Sequence, residues 1–111
     1  MPAAPGGGAA GLPSAVLVQL DFGRGGVAED LAEFELLASS AGVAPVAVVH
    51  GRRGVPDPAT FAGKGKVAEL AQMVKDRGTE LVLFNHDLSG AQQRNLERDI
   101  GCRVVDRTSL I

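Results

Sequence analysis

Ala15-Val16-Leu17-Val18-Gln19-Leu20-Asp21-Phe22, followed at once by Gly23-Arg24-Gly25-Gly26, decides the fold. The nearly continuous apolar run reads as a strand buried on both faces, as in a parallel sheet covered by helices. The glycines break it. Val27, Leu31, Phe34, Leu37, Ala38 and Ala41 then repeat at helical spacing as far as Gly42, a C-terminal stop. Glu29, Asp30 and Glu33 fall in the first turns, where acids suit the positive end of the helix dipole. Strand, glycine turn and amphipathic helix make one βα unit.

The same alternation continues. Pro45-Val46-Ala47-Val48-Val49 is a second strand, and Val67, Leu70, Ala71 and Val74 mark a second helix, beginning near Val67 and ending at Arg77-Gly78. Leu81-Val82-Leu83-Phe84 is a third buried strand. Ser89 with Gln92 forms a capping-box signal, and its helix turns Leu96 and Ile100 inward and stops at Gly101. Arg103-Val104-Val105-Asp106 is a fourth, shorter strand. This order predicts a small three-layer α/β domain with a four-stranded parallel sheet, helices on both faces and right-handed crossovers. The expected strand order is 2-1-3-4. Residues 1–13 are almost entirely Ala, Gly and Pro and read as a disordered tail, leaving 14–111 as the domain. The apolar Leu110-Ile111, directly after the last strand, reads as a cut end, so a domain of something longer is expected.

At 111 residues the chain is one domain, with 45% apolar and 22% charged residues, ordinary proportions for a globular protein. Cys102 is the single cysteine, which excludes an internal disulfide and reads as a small buried side chain, with nothing nearby to activate it. No apolar run approaches the ~18 residues of a membrane span, and no secretory leader is evident, so a cytoplasmic location is expected. The net charge of −2 is unevenly spread. Residues 1–50 carry one base against five acids, 51–66 four bases against one acid, and 67–111 six bases against seven acids. A mildly acidic body with one basic loop argues against general nucleic-acid coating but leaves room for local phosphate contact.

That basic loop, Arg52 to Lys66, is far longer than the roughly 2–6 residues usual for a βα connection, and it gathers Arg52, Arg53, Lys64 and Lys66 against Asp57. Gly63-Lys64-Gly65-Lys66 has the look of a phosphate loop without its pattern. In neither register do the leading glycine and the metal-binding hydroxyl fall in place. What remains is two glycines and two lysines at a helix N-terminus, an anion site or a solvated cationic loop. Gly23-x-Gly25-x-x-Ala28 matches the dinucleotide fingerprint formally. The acid required at the end of the second strand is missing, and the simpler role of these glycines is a tight turn. Asp21-Phe22-Gly23 matches a kinase triplet only by letters. His50 and His86 lie just beyond strand ends, and with Asp21 and Asp87 they are candidates for a metal or acid–base site, although surface hydrogen bonding is the commoner role. No nucleophile–base set stands out. Phe61 is the one loop aromatic, best read as an anchor pinning the loop to the domain, so nucleic-acid contact here runs through phosphate and shape.

Leu20-Asp21-Phe22-Gly23-Arg24-Gly25, Glu35-Leu36-Leu37-Ala38, Ala41-Gly42, Pro56 through Val67, Asn85 through Glu97 and Val105-Asp106-Arg107-Thr108 occur in collinear order. Together they closely resemble the N-terminal domain of the HflX family of ribosome-associated GTPases, over about Ala15 to Ile111. The resemblance implies an intact protein in which a helical arm and a G domain, with GTP and magnesium, follow this domain. It implies action on the large ribosomal subunit, including splitting of stalled ribosomes, and no GTP hydrolysis by this chain alone. Two readings follow from the likeness. In the first, Arg52, Arg53, Lys64 and Lys66 contact ribosomal RNA phosphates, with Arg94 and Arg98 as a weaker second set. In the second, Gly23, Gly25, Gly63, Lys64, Gly65 and Lys66 hold a nucleotide, ATP being reported for some members. A plainer role is a scaffold that positions the G domain of the same protein.

Overall fold

The computed structural model describes residues 13–110, so residues 1–12 of the expected tail and Ile111 lie outside the described residues. The apolar run forms β1, Ser14–Asp21, and every residue from Ala15 to Leu20 is buried. Alternation across the strand sends its side chains into two separate cores. Val16, Val18 and Leu20 face Val67, Leu70 and Val74 of α2 (Lys64–Arg77) and Leu96 and Ile100 of α3 (Gly90–Ile100). Ala15 and Leu17 face Phe34 and Ala38 of α1 (Val27–Ser40). One strand buried on both faces is the physical content of the continuous apolar run.

β1 pairs in parallel with β2 (Ala44–Arg52) on one side and β3 (Leu81–Phe84) on the other; β4 (Arg103–Val105) pairs with β3. The sheet order is β2-β1-β3-β4, the order anticipated. Helices stop where glycine takes the left-handed conformation: Gly78 ends α2 and Gly101 ends α3. Ser89 and Gln92 close the expected capping box at the start of α3.

Three boundaries differ from the sequence reading. β2 runs on to Arg52, so Arg52 belongs to a strand and not to the loop. α2 begins at Lys64 and not near Val67, because Val67, Leu70 and Val74 are held against the sheet and draw the preceding turn into helix despite Gly65. A short helix, α4 (Arg107–Leu110), follows β4; Asp106 starts it by accepting hydrogen bonds from the N–H groups of Ser109 at 2.9 Å and Leu88 at 3.1 Å. Burial works to raise the Asp106 carboxyl, but those backbone donors outweigh it and hold it below the usual range.

Candidate nucleic-acid interface and the cleft beside it

The segment between β2 and α2 is folded around Asp57. Its Oδ1 accepts from the N–H groups of Ala59 at 2.8 Å and Thr60 at 3.0 Å, which lowers its pKa. Asp57 and Phe61 exchange two backbone hydrogen bonds, closing a small antiparallel bridge. Phe61 takes φ 65° and drives its ring into the core, 8% exposed and edge-on to Phe22 and Phe84. The anchoring role read from sequence is what the structure shows. Helix α3 fastens the outer side: Gln92 Nε2 donates to the Asp57 carbonyl and Asn95 Nδ2 to the Ala59 carbonyl, each at 2.9 Å.

This framework divides the four cations. Arg53 reaches back across the loop, its Nε donating to the Val55 carbonyl at 3.0 Å and its Nη1 to the Ala62 carbonyl at 3.2 Å. It passes so close to Gly63 that a Cβ there would lie 2.2 Å from Nη1. Lys66 donates from Nζ to the His50 carbonyl at 2.6 Å and pairs with Glu69 at 2.8 Å, its stem lying over Gly51. Arg53 and Lys66 are therefore tied into the fold. Arg52, at the end of β2, keeps its side chain 85% exposed, with only a loose 3.6 Å approach to Asp21. Lys64 is exposed in the first turn of α2 and, among the described residues, forms no ion pair. On α3, Arg94 is exposed in the same way, whereas Arg98 pairs with the adjacent Asp99 at 2.9 Å.

A second feature lies at the carboxyl ends of β1 and β3, the point where the strand order reverses and where open α/β sheets place ligands. Two cavities of about 220 and 360 Å³ share Phe22, Arg24, Asn85, His86 and Arg107 in their walls. The imidazole of His86 replaces a backbone partner for the sheet, its Nε2 accepting the Leu20 N–H at 2.9 Å. That bond leaves the proton of the neutral ring on Nδ1. Burial, seconded by Arg107, lowers the His86 pKa to about 4, against the opposing pull of Asp30 and Asp87, so the ring is neutral at pH 7. Asn85 is 5% exposed and donates through Nδ2 to Gln19 Oε1 at 2.5 Å and to the Asp30 carbonyl at 3.2 Å. Gly23, Gly25 and Gly26 all have positive φ, and a Cβ on any of them would meet nothing within 4 Å.

Sequence reasoning weighed His86 but passed over Asn85, Arg24 and Arg107. The available signal was position: Arg24 follows β1 and Asn85 follows β3, the two strands flanking the reversal in the expected order. Asp87 is engaged with the Thr108 hydroxyl and His50 is exposed. Among the described residues no group of three or more His, Cys, Asp or Glu could hold a metal ion. Burial and Glu97 push the half-buried Cys102 thiol up to about 11, away from nucleophile chemistry. No helix among the described residues is long and apolar enough to cross a membrane.

A family profile described as the N-terminal region of GTP-binding GTPases matches residues 28–111. The chain is 54% identical over 97 residues to the GTPase HflX of Escherichia coli, covering 87% of this chain and 23% of that protein. It is 39% identical over 83 residues to the GTPase HflX of Alkalihalophilus pseudofirmus, covering 75% of this chain and 20% of the relative. The chain thus spans less than a quarter of the length of these curated relatives. Among solved structures, a GTP-binding protein from Sulfolobus solfataricus in complex with GDP superposes with a TM-score of 0.66 at 15% identity. That likeness, over 89% of this chain and 29% of the other, concerns the fold.

Proposed function

The chain belongs to the HflX family of GTPases, as its N-terminal domain, and from that premise we propose that it is a ribosome-binding module touching ribosomal RNA of the large subunit through phosphate. The observation that supports this is the unequal fate of its cations. Arg52, at the end of β2, and Lys64, at the start of α2, stand exposed at the two ends of a loop fastened by Arg53, Lys66 and Phe61. Arg94 adds an exposed charge on α3, the helix that fastens the loop, and Arg98 a weaker one because Asp99 accompanies it. Their anchored backbone fixes where those charges stand, while the exposed side chains stay free to reach a phosphate. In this reading the module brings the G domain of the intact protein to the large subunit, in keeping with ribosome splitting.

GTP and magnesium belong to that G domain. The Gly63–Lys66 turn does not fit them: Gly63 N–H is committed to Thr60 Oγ1, the Arg53 guanidinium covers Gly63, and no hydroxyl follows either lysine. We assign no hydrolysis to this chain.

The test is binding of the chain to isolated large ribosomal subunits across a salt series, beside an Arg52→Glu/Lys64→Glu variant. With Arg52, Lys64 and Arg94 each neutralising one phosphate, the log–log slope is about −2.7 by the duplex calibration. Loss of affinity and a shallower slope in the variant support the module. Salt-insensitive binding, or binding unchanged in the variant, overturns it.

A second reading is ATP held among Gly23, Gly25, Gly63, Lys64, Gly65 and Lys66. The open surroundings of Gly23 and Gly25 favour it. Against it stand Asp21, Glu29 and Asp30, which surround the amino end of α1 where a polyphosphate would have to sit. ATP titration of the same chain, with Gly25→Val as the comparison, decides it.

A further inference from the structure

The sheet has two outer strands, and the helices close them off differently. β4 is three residues long, and α3 takes both backbone groups of Val104 at its centre. Gln93 Nε2 donates to the Val104 carbonyl at 2.9 Å, and the Val104 N–H donates to Glu97 Oε2 at 3.0 Å. Two side chains one helical turn apart thus occupy the place of a further strand. That edge is closed.

β2 is nine residues long and pairs only with β1. In a parallel ladder a residue turns its N–H and C=O to the same side, and the next residue turns them to the other. The Arg53 N–H donates to the Asp21 carbonyl at 3.0 Å, so Gly51, Val49 and Ala47 also face β1, while Val46, Val48 and His50 face outward. Helix α2 meets two of these outward carbonyls with cations: Lys66 Nζ reaches His50 at 2.6 Å, and Arg77 Nη1 reaches Val46 at 3.5 Å. These contacts run α2 antiparallel to β2, and the spans agree. Lys66 to Arg77 is roughly 16 Å of helix and Val46 to His50 roughly 13 Å of strand, a difference that long side chains absorb. Lys66 is built into its place. Its stem crosses Gly51, where a Cβ would lie 2.9 Å from Cε, and Glu69 holds its ammonium at 2.8 Å. Its side chain is only 20% exposed. Among the described residues, the Val48 carbonyl and the N–H groups of Val46, Val48 and His50 have no partner.

These outward groups are self-complementary. An antiparallel partner centred on Val48 would exchange both bonds with its own Val48 and would set Val46 of each strand against His50 of the other. The outer bonds of that pairing need the two carbonyls that Lys66 and Arg77 occupy. A bond from a cation to a carbonyl is stronger than the neutral N–H bond that would replace it. We propose that Lys66 and Arg77 are edge guards, which hold the outer edge of β2 shut against β2 of a second copy of this chain. With both in place only the Val48 bonds stay open to such a partner, too few to offset the freedom lost on association. Charged side chains are a general means of blunting a sheet edge. Here they come from the covering helix and act on the carbonyls themselves. The role rests on β2 and α2 alone and is independent of ribosome binding.

Sedimentation velocity and amide hydrogen exchange are followed for the native chain, Lys66→Met, Arg77→Met and the double variant, across a wide range of concentration. Methionine keeps an apolar stem of similar length and gives up the bond to the carbonyl. The native chain should stay monomeric, with fast exchange at Val46, Val48 and His50 and a protected amide at Val104. The double variant should approach twice the native mass as concentration rises, and exchange at Val46, Val48 and His50 should slow by at least about ten-fold. Lys66→Met alone should associate more than Arg77→Met alone, in keeping with contacts of 2.6 and 3.5 Å. Lys64→Met, which removes an exposed charge that guards no carbonyl, should remain monomeric. Should the double variant fail to fold, the single variants decide the question. The proposal is overturned by folded guard variants that stay monomeric, by association without slowed exchange at these amides, by equal association of Lys64→Met, or by a native chain already paired through β2.

Discussion

The turns that leave β1 and β2 both carry glycines and arginines, and they use them in opposite ways. After β1, Gly23, Gly25 and Gly26 face open space and Arg24 is exposed at the rim of a cleft. At the end of β2 and just before α2, Gly51 and Gly63 make room for the stem of Lys66 and the guanidinium of Arg53, and those cations hydrogen-bond to the chain itself. A glycine can be absent of side chain for a visitor or for a neighbour. Only the packing around it tells which.

Substitution at the glycines tests that contrast most severely. Gly63→Ala meets the Arg53 guanidinium at 2.2 Å and also forces φ 86°, ψ 160° on an L residue. We expect a loss of about 3 kcal/mol, at the upper end for a single strained backbone site. Gly25→Ala meets nothing, so only its positive φ opposes it, a cost of about 1 kcal/mol. Urea unfolding of the two variants measures the difference, and equal losses would end the comparison.

The arginines sharpen it next. Arg53→Ala removes two hydrogen bonds that hold the loop and should destabilise by about 1.5 kcal/mol. Arg52→Ala, one residue earlier, should change stability by less than about 0.5 kcal/mol, since its side chain is exposed and its ion pair loose. The same urea series reads both, and a large effect at Arg52 would mean that it, too, is structural.

Acid tests the β1 side of the comparison. Folding lowers the His86 pKa from 6.5 to about 4, so between those values the unfolded chain binds more protons and stability falls as the pH is lowered. Asp57 and Asp106, both lowered, add their own losses only below the ordinary carboxylate value of 3.8. The imidazole keeps some contact with solvent, which moderates the drop. Urea midpoints at pH 7 and pH 5 should differ in the native chain and converge in His86→Gln.

The architecture was legible because its signals are local. A strand apolar at nearly every position, glycine stops after helices and the Ser89–Gln92 box each act over a few residues, and their alternation implies a parallel sheet. Boundaries slipped where tertiary packing overrides propensity, as at Lys64-Gly65, which helix α2 takes in because Val67 and Leu70 are anchored. The candidate site was legible only as a list of charges. Arg52 and Arg53 are indistinguishable in sequence, yet one is exposed and the other is folded back onto Ala62. Asn85 gave no sign of its orphan oxygen, which depends on Gln19, 66 residues away, and on a carbonyl of α1.

The position of β1 has a consequence during synthesis. It is made before the other described elements and is an inner strand of the sheet, flanked by β2 and β3. Its last backbone partner on the second side, Asn85, hydrogen-bonds to Val18 only once the intervening chain has been made. At about 5–20 residues per second that interval lasts seconds, during which an apolar strand has at most one finished edge. An unpaired hydrophobic edge is a template for wrong pairing. The hairpin-free β1–α1–β2 unit, covering one edge early, therefore sets how safely this domain emerges, and chaperone demand should fall on the interval before β3 arrives.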